Sequence, residues 1–189
     1  MSAASTPSNR EEIVVQLFKL FRCGGYEGVS VGDVSKVTGL GKSSLYHYFP
    51  GGKADMASAV VSFARDWIGV NIINPLGNTD VPFDKRVDGM IAAARELYDG
   101  GTSPCLVASM LVTADGKTSE ANAGVILSDW ITALSSALQK NGIAKSEANA
   151  RATAALVRIE GALLVARATD DLDVFETALT ETRNALIGK

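Results

Sequence analysis

Side chains that could bind phosphate or transfer protons are concentrated in one stretch, GLGKSSLYHYFPGGKADMA, at residues 39–57. It holds the chain's single histidine, His47, between two tyrosines, together with two Gly-Lys pairs. Three kinds of chemistry use such residues: a loop that binds nucleotide phosphates, a catalytic or metal-binding histidine, and a helix face that contacts nucleic acid.

The spacing of the glycines excludes the nucleotide loop. The pattern G-x-x-x-x-G-K-[ST] needs a glycine five residues before each Gly-Lys pair, and those positions hold Lys36 and His47. The second pair is also followed by Ala54, which has no hydroxyl for a metal ion. No strand pattern precedes either pair.

A catalytic or metal-binding role for His47 has no local support. The segment LYHYF supplies neither a nucleophile nor a carboxylate partner, and the chain has no H-x-x-E or C-x-x-C grouping around it. We therefore expect no enzymatic activity, no metal and no cofactor. An enzyme would need a polar constellation that the sequence does not display.

The elements that surround this stretch are predicted to be helices. Alanine is abundant, aromatic residues make up only 6%, and no alternating strand pattern of useful length occurs. The prediction is an all-α fold of about nine helices. The first is capped by Ser8 with Glu11 and ends at GGYEG, and the second opens at Ser30 with Asp33. The others are expected at about 42–49, 52–74 (ended by Asn74-Pro75), 82–99, 104–115, 118–140, 146–168 and 171–187.

Two short helices joined by a glycine turn, with a helix before them, indicate a helix-turn-helix unit. Leu45 and Phe49 share the inner face of its last helix, suited to packing on Val34 and Val37. The outer face can donate hydrogen bonds and carries no acid; its members are Lys42, Ser43, Tyr46 and His47. Such a helix suits the major groove of DNA.

The stretch GVSVGDVSKVTGLGKSSLYHYFPGGKADMASAV resembles the DNA-binding signature of the tetracycline-repressor (TetR) family of bacterial regulators. The match covers about residues 10–60 and rests on Ser30, Val31, Val34, Gly39, Leu45, Tyr46, Tyr48, Phe49 and Lys53. The segments FPGGK, SPCLVASMLVTAD and IEGALLVARATDD are similar to the lincomycin-resistance-repressor subgroup. The resemblance implies DNA contacts by Lys42, Ser43, Ser44, Tyr46, His47 and Lys53.

Two glycines depart from the family pattern. Gly32 stands where some members carry a base-reading side chain, which puts readout by the second helix in doubt. Gly41 takes the usual Ser/Thr cap position of the third helix, at a cost of a few tenths of a kcal/mol. Tyr48 fits either a DNA contact or the core.

The resemblance also implies a domain plan. Residues 1–8 form a disordered tail, 9–52 the helix-turn-helix domain, and 53–189 a helical effector-binding and dimerisation domain. The pocket of an unidentified small-molecule effector would be lined by Phe63, Trp67, Met90, Arg95, Leu97, Met110 and Trp130. Homodimers would form through the last two helices, with a stripe of Ala152, Ala155, Leu156, Ile159, Leu163 and Ala166. Packing within one subunit is the alternative for that stripe, as it is for the pocket residues.

Bulk properties set broad limits on location. The chain of 189 residues has a net charge of −3, but residues 1–55 carry six basic against five acidic side chains, a slight basic lean. No run of eighteen apolar residues occurs and the N-terminus lacks a signal pattern, so a cytoplasmic protein without a membrane span is expected. Cys23 and Cys105 are predicted to be reduced and buried.

These observations lead to one functional expectation. The resemblance implies a homodimeric regulator that binds double-stranded operator DNA and is released by its effector when the helix at 52–74 tilts. Repression is expected rather than activation. The alternative is a helical interaction module or small-molecule-binding protein without DNA binding, which Gly32 and the weak basic lean favour.

Overall fold

The computed structural model describes residues 9–111 and 122–188, and all regular structure within those ranges is helical. Helix α4 is one continuous run: an α-helix at Lys53–Ile68, a π-helical turn at Gly69–Ile73 and a last turn at Asn74–Gly77. The other helices are α1 Arg10–Gly28, α2 Val31–Thr38, α3 Lys42–Tyr48, α5 Phe83–Leu97, α6 Leu106–Leu111, α7 Val125–Lys140, α8 Lys145–Thr169 and α9 Asp173–Ile187. The prediction of an all-α fold with about nine helices is confirmed over this part of the chain.

The chain packs into two compact units. Of the described residues, the N-terminal unit comprises 9–65, 106–111 and 122–124, and the C-terminal unit comprises 66–105 and 125–188. The N-terminal unit thus includes the first part of α4 and the short helix α6, both assigned by the sequence to the second domain. The predicted boundary at residue 52 between the DNA-binding and the effector-binding domain stays a prediction. The boundary by packing lies after Arg65. The predicted tail, 1–8, lies outside the described residues.

Caps begin the first two helices. The Asn9 side chain accepts a hydrogen bond from the Glu12 amide at 2.9 Å, so the cap lies one residue beyond the predicted Ser8, which is not among the described residues. At α2 the predicted capping box forms in full: the Ser30 hydroxyl oxygen accepts from the Asp33 amide, and the Asp33 carboxylate accepts from the Ser30 amide, both at 3.1 Å.

A close backbone contact bends the end of α1. Gly25 has φ 68° and ψ 177°, and a Cβ there would lie 2.6 Å from the Ser109 carbonyl oxygen, so only glycine fits. The Ser109 hydroxyl donates to the Arg22 carbonyl at 2.7 Å. Helix α6 therefore lies directly against α1. The segment GGYEG interrupts the helix as predicted, but one more turn follows before it ends at Gly28.

The predicted end of α4 at Asn74-Pro75 is wrong, because the helix continues to Gly77. The Asn74 amide donates to the Gly69 carbonyl, which closes the π-helical turn. Pro75 then lies in the first turn of the last segment, where a missing N–H is tolerated. Among the described residues α4 is the one helix long and apolar enough to cross a membrane, which for a single helix is weak evidence of a span; 39% of its most apolar window is buried within the protein.

In the C-terminal unit, α5 is tied to α9 by two ion pairs. The Arg95 guanidinium donates to both carboxylate oxygens of Glu176 at 2.8–3.0 Å, and Arg183 donates to Asp88 at 2.5 Å. Apolar side chains fill the interior between the helices, the largest being Trp130, Phe175, Ile72, Leu76 and Met90.

The predicted dimer stripe on α8 is corrected by the structure. All six side chains are at most 3% exposed within a single chain, so they pack in the subunit core and cannot reach a partner; they are Ala152, Ala155, Leu156, Ile159, Leu163 and Ala166. The opposite side of α8 is also apolar but exposed, with Val157 at 66% and Leu164 at 69%. Because both faces of α8 are apolar, periodicity alone could not identify the outer one.

Candidate nucleic-acid interface

Helix α3 separates an exposed polar face from a buried apolar one. Leu45 and Phe49 have no exposed surface and anchor the helix in the N-terminal unit. The predicted DNA-contacting residues on this helix are all exposed: Lys42, Ser43, Ser44, Tyr46 and His47. Tyr48 is half-buried, with its ring edge-on to that of His47 at 5.6 Å. The helix thus presents hydrogen-bond donors and no acid to solvent.

Helix α2 supports α3 by a different face from the one predicted. Val34 is buried, but Val37 is 44% exposed, so its predicted inward orientation is wrong. Thr38, one turn after Val34, is buried instead; its hydroxyl donates to the Val34 carbonyl at 2.8 Å and accepts from the Leu40 amide at 3.3 Å. A polar residue takes the inner position because both of its hydrogen-bonding functions are satisfied locally.

We call α3 the recognition helix, since it carries the predicted DNA contacts. The turn after it fixes this helix to the start of α4. Gly52 has φ 66°, and a Cβ there would lie 3.3 Å from the Tyr46 ring, so the ring packs on a bare backbone. The Asp55 carboxylate accepts from the Gly51 amide at 2.6 Å and closes the turn. Tyr46 therefore takes part both in the exposed face and in this packing.

Three described cations of the N-terminal unit lie over aromatic rings; Arg22 lies over the nearby Phe18, and the other two join distant parts of the chain. The Lys53 ammonium is 4.5 Å from the centroid of the Tyr26 ring, and the Arg10 guanidinium is 5.1 Å from that of Phe49. Sequence reasoning selected Lys53 but missed Tyr26 and Arg10. Neither could be found from spacing, since each pair joins residues that are far apart in sequence.

The acidic residue of α2, Asp33, takes part in the capping box at the start of that helix. Hydrogen bonds from Ser30 hold the pKa of Asp33 below its usual value, and Lys36 lies 3.6 Å from the same carboxylate. Its negative charge is thus engaged with neighbouring donors, which limits its repulsion of an approaching polyanion.

The residues predicted to line an effector pocket fall in both units. Phe63 and Met110 belong to the N-terminal unit, where the Phe63 ring packs edge-on to Phe18 at 5.5 Å. The other five belong to the C-terminal unit: Trp67, Met90, Arg95, Leu97 and Trp130. Arg95, predicted as a polar anchor, is held in the ion pair with Glu176. The pocket itself stays a prediction.

A polar cluster in the C-terminal unit had no sequence signal. The buried Tyr98 hydroxyl donates to Glu160 at 2.6 Å and lies 3.9 Å from the Cys105 sulfur. Burial raises the pKa of Glu160 and of Tyr98 above their usual values. Cys105 is buried as predicted, whereas Cys23 is exposed and that prediction is wrong.

Comparison with known proteins matches both parts of the chain to families of regulators. The profile described as "Bacterial regulatory proteins, tetR family" matches residues 13–60. That described as "Transcriptional regulator LmrA/YxaF-like, C-terminal domain" matches residues 86–181. The match at residues 13–60 contains α2, α3 and the turn to α4.

Similar proteins extend the likeness over nearly the whole chain. The uncharacterized HTH-type transcriptional regulator Rv0196 of Mycobacterium tuberculosis is 26% identical over 189 residues, covering 95% of each chain. The HTH-type transcriptional regulator LmrA of Bacillus subtilis is 25% identical, covering 83% of this chain and 85% of its own. A TetR transcriptional regulator from Legionella pneumophila shares the fold, with a TM-score of 0.79, 21% identity and 98% of each chain covered.

Proposed function

Because the chain belongs to the TetR family of bacterial transcriptional regulators, with an LmrA/YxaF-like C-terminal domain, we propose that it is a repressor that a small molecule releases from operator DNA. The chain is a DNA-binding regulator and not an enzyme. Release by a ligand, and repression as the outcome, are the proposed refinements.

The exposed face of α3 carries the DNA-binding part of the proposal. Lysine and serine side chains on a short helix can reach base edges in the major groove, while a phenol and an imidazole can donate to phosphate oxygens. We assign base or phosphate contacts to Lys42, Ser43, Ser44, Tyr46 and His47, and a phosphate contact to Lys53. Gly32 adds no side chain to this surface, so α3 carries the base readout.

Helix α4 supports the proposed release mechanism. Its residues up to Arg65 belong to the N-terminal unit and those from Asp66 on belong to the C-terminal unit. A ligand that binds the C-terminal unit more tightly in one position of α4 would therefore bias the position of α3. In a dimer this changes the separation of two recognition helices, and that separation must match two half-sites about one DNA turn apart.

The DNA-binding part is tested by gel shift with the DNA upstream of the protein's own coding sequence, over a salt series. Specific binding that weakens steeply with salt is expected, because phosphate contacts release counterions. Lys42→Ala should weaken binding by about 1–3 kcal/mol through the loss of a base contact, and Tyr46→Phe should weaken binding to all sequences alike through the loss of a phosphate contact. Lys140→Ala, at the end of α7 in the C-terminal unit, is the matched control. Wild-type affinity in both α3 variants would refute the site assignment.

Repression and release are tested separately. In vitro transcription from the same upstream DNA should fall when the protein is added, because a repressor needs only to occupy its site. A thermal-shift screen of small aromatic and cationic compounds should then yield a ligand that restores transcription. A rise in transcription on adding protein alone would refute repression.

A further inference from the structure

The Tyr26 ring lies against the ammonium group of Lys53, the cation that follows the recognition helix. The Lys53 ammonium is 4.5 Å from the centre of the Tyr26 ring, well inside the range of a cation–π interaction. Both side chains are half-buried. Among the residues that the structure describes, no carboxylate lies within ion-pair distance of this ammonium, so its charge is not neutralised by an acid.

The Tyr26 ring itself is held in place from two directions. It stacks on the buried Phe21 ring, with 6.4 Å between centroids and 17° between planes. Its backbone follows Gly25, whose bent conformation is fixed by the close approach of the Ser109 carbonyl. The ring is therefore held by its packing on Phe21 and by the constrained backbone before it, and forms a platform for the ammonium group.

Such a platform matters because lysine is flexible. Four rotatable bonds let a free lysine sample many positions, and ordering it on a ligand costs up to about 2 kcal/mol of side-chain entropy. A ring on one side of the ammonium restricts those positions before the ligand arrives, while the ammonium hydrogens that point away from the ring remain available to an anion.

We propose that Tyr26 is a positioning residue that holds the Lys53 ammonium ready for a phosphate of the DNA backbone. The inference rests on the proposed DNA binding and adds a residue outside the recognition helix to it. Because phosphate contacts carry no sequence information, Tyr26 should affect the affinity for all duplexes alike.

A double-mutant cycle tests the proposal, with a mixed-sequence 30-base-pair duplex at low salt and the protein's own upstream DNA as probes. Lys53→Met should weaken binding to both and lower the salt slope by about one for each phosphate that the lysine no longer neutralises. Tyr26→Leu should weaken binding about two- to fivefold, and Tyr26→Phe, which keeps the ring, should bind within about twofold of wild type. In the Lys53→Met background, Tyr26→Leu should have no further effect.

The exposed Lys19 of α1 provides the matched control. In a Lys19→Met background, Tyr26→Leu should keep its full effect, since that substitution removes a charge but leaves Lys53 and its ring partner in place. Equal effects of Tyr26→Leu with and without Lys53 would show that Tyr26 acts only through packing, and would overturn the proposal.

Should Tyr26→Leu fail to fold, phenylalanine analogues with one to three ring fluorines at position 26 keep the shape and withdraw charge from the ring face. Affinity should fall stepwise with fluorination only while Lys53 is present, and an unchanged affinity across the series would overturn the proposal. Failure of the wild-type protein to bind either duplex would instead refute the proposed function, so the two failures are distinct.

Discussion

At the scale of single residues, Glu160 is a carboxyl group placed where ionisation is costly. It accepts a hydrogen bond from the buried Tyr98 hydroxyl, but burial still raises its pKa above the usual value. Glu176, in the same unit, has the opposite balance, because the hydrogen bonds from Arg95 lower its pKa. The two carboxyl groups should therefore give the protein opposite dependences on pH.

Glu160→Gln should stabilise the protein at neutral pH and have little effect in acid. Below the ordinary glutamate pKa the carboxyl group is protonated in both the folded and the unfolded state. As the pH rises through the raised folded-state pKa, the native protein must ionise a buried group and loses stability, which the neutral amide avoids while still accepting from Tyr98. The measurement is the melting temperature of both proteins between about pH 4 and pH 7.

Glu176→Gln is the control with the opposite sign. Its carboxylate contributes stability above the ordinary glutamate pKa that is lost as the pH falls through the lowered value, so this variant should be less stable than wild type at neutral pH. If the melting temperatures of the two variants changed with pH in the same way, the opposite pKa directions assigned to Glu160 and Glu176 would be contradicted.

Residue spacing predicted some placements and missed others for a physical reason. The exposed face of α3 follows from Leu45 and Phe49 one turn apart on a helix whose other side is polar. The side of α8 that faces inward could not be predicted, because alanine and branched residues occupy both sides. Tyr26 and Glu160 were missed because their partners, Lys53 and Tyr98, are distant in sequence and meet only after folding.

At the scale of elements, α3 begins without a capping side chain. Its N-cap is Gly41, at φ −68°, and no cap hydrogen bond is made there. A Cβ at this position would meet nothing within 4 Å. The start of the recognition helix is thus an element whose stability could be raised without disturbing its neighbours.

Gly41→Ser should raise the free energy of unfolding by about 0.5 kcal/mol, because the hydroxyl can accept from a free amide of the first turn and the unfolded chain loses glycine's freedom. Urea unfolding followed by circular dichroism measures it. Gly41→Ala is the control: it removes the same freedom but supplies no acceptor, so it should fall about 0.5–1 kcal/mol below the serine variant. Equal stabilities would show that the cap does not form.

Helix bounds set by sequence neighbours were predicted, and bounds set by a change in the backbone hydrogen-bond register were not. The capping box at Ser30 depends only on neighbours in sequence, so it was predictable. The continuation of α4 past Pro75 was not, since it depends on a π-helical turn that shifts the hydrogen-bond register before the proline.

At the scale of the whole molecule, the exposed apolar side of α8 offers a surface for the second copy of the expected homodimer. Val157, Leu164 and Val165 are 46–69% exposed and share a face at positions i, i+7 and i+8. Gly161 lies between them with open space around it, which allows a close approach of another helix. Solvent-exposed leucine and valine at such spacing are typical of an interface.

Leu164→Glu should therefore weaken dimer formation by more than about tenfold, since burying an unpaired carboxylate at an apolar interface is costly. Size-exclusion chromatography with light scattering measures the dimer, and operator affinity should fall with it because half-sites are read in pairs. Val70→Glu, at an equally exposed valine of α4, is the control and should stay dimeric. A dimeric Leu164→Glu variant would place the interface elsewhere.

The contact between Gly25 and Ser109 has a consequence for synthesis on the ribosome. Translation must add some forty residues after Arg65 before α6, which packs on α1, exists at all. At ordinary elongation rates this takes roughly 2–8 s, during which the bent end of α1 lacks its contact with Ser109. A nascent chain stalled or cleaved before residue 106 therefore lacks the α6 part of the N-terminal unit, and we expect truncated products of the gene not to compete with the full-length protein for its DNA.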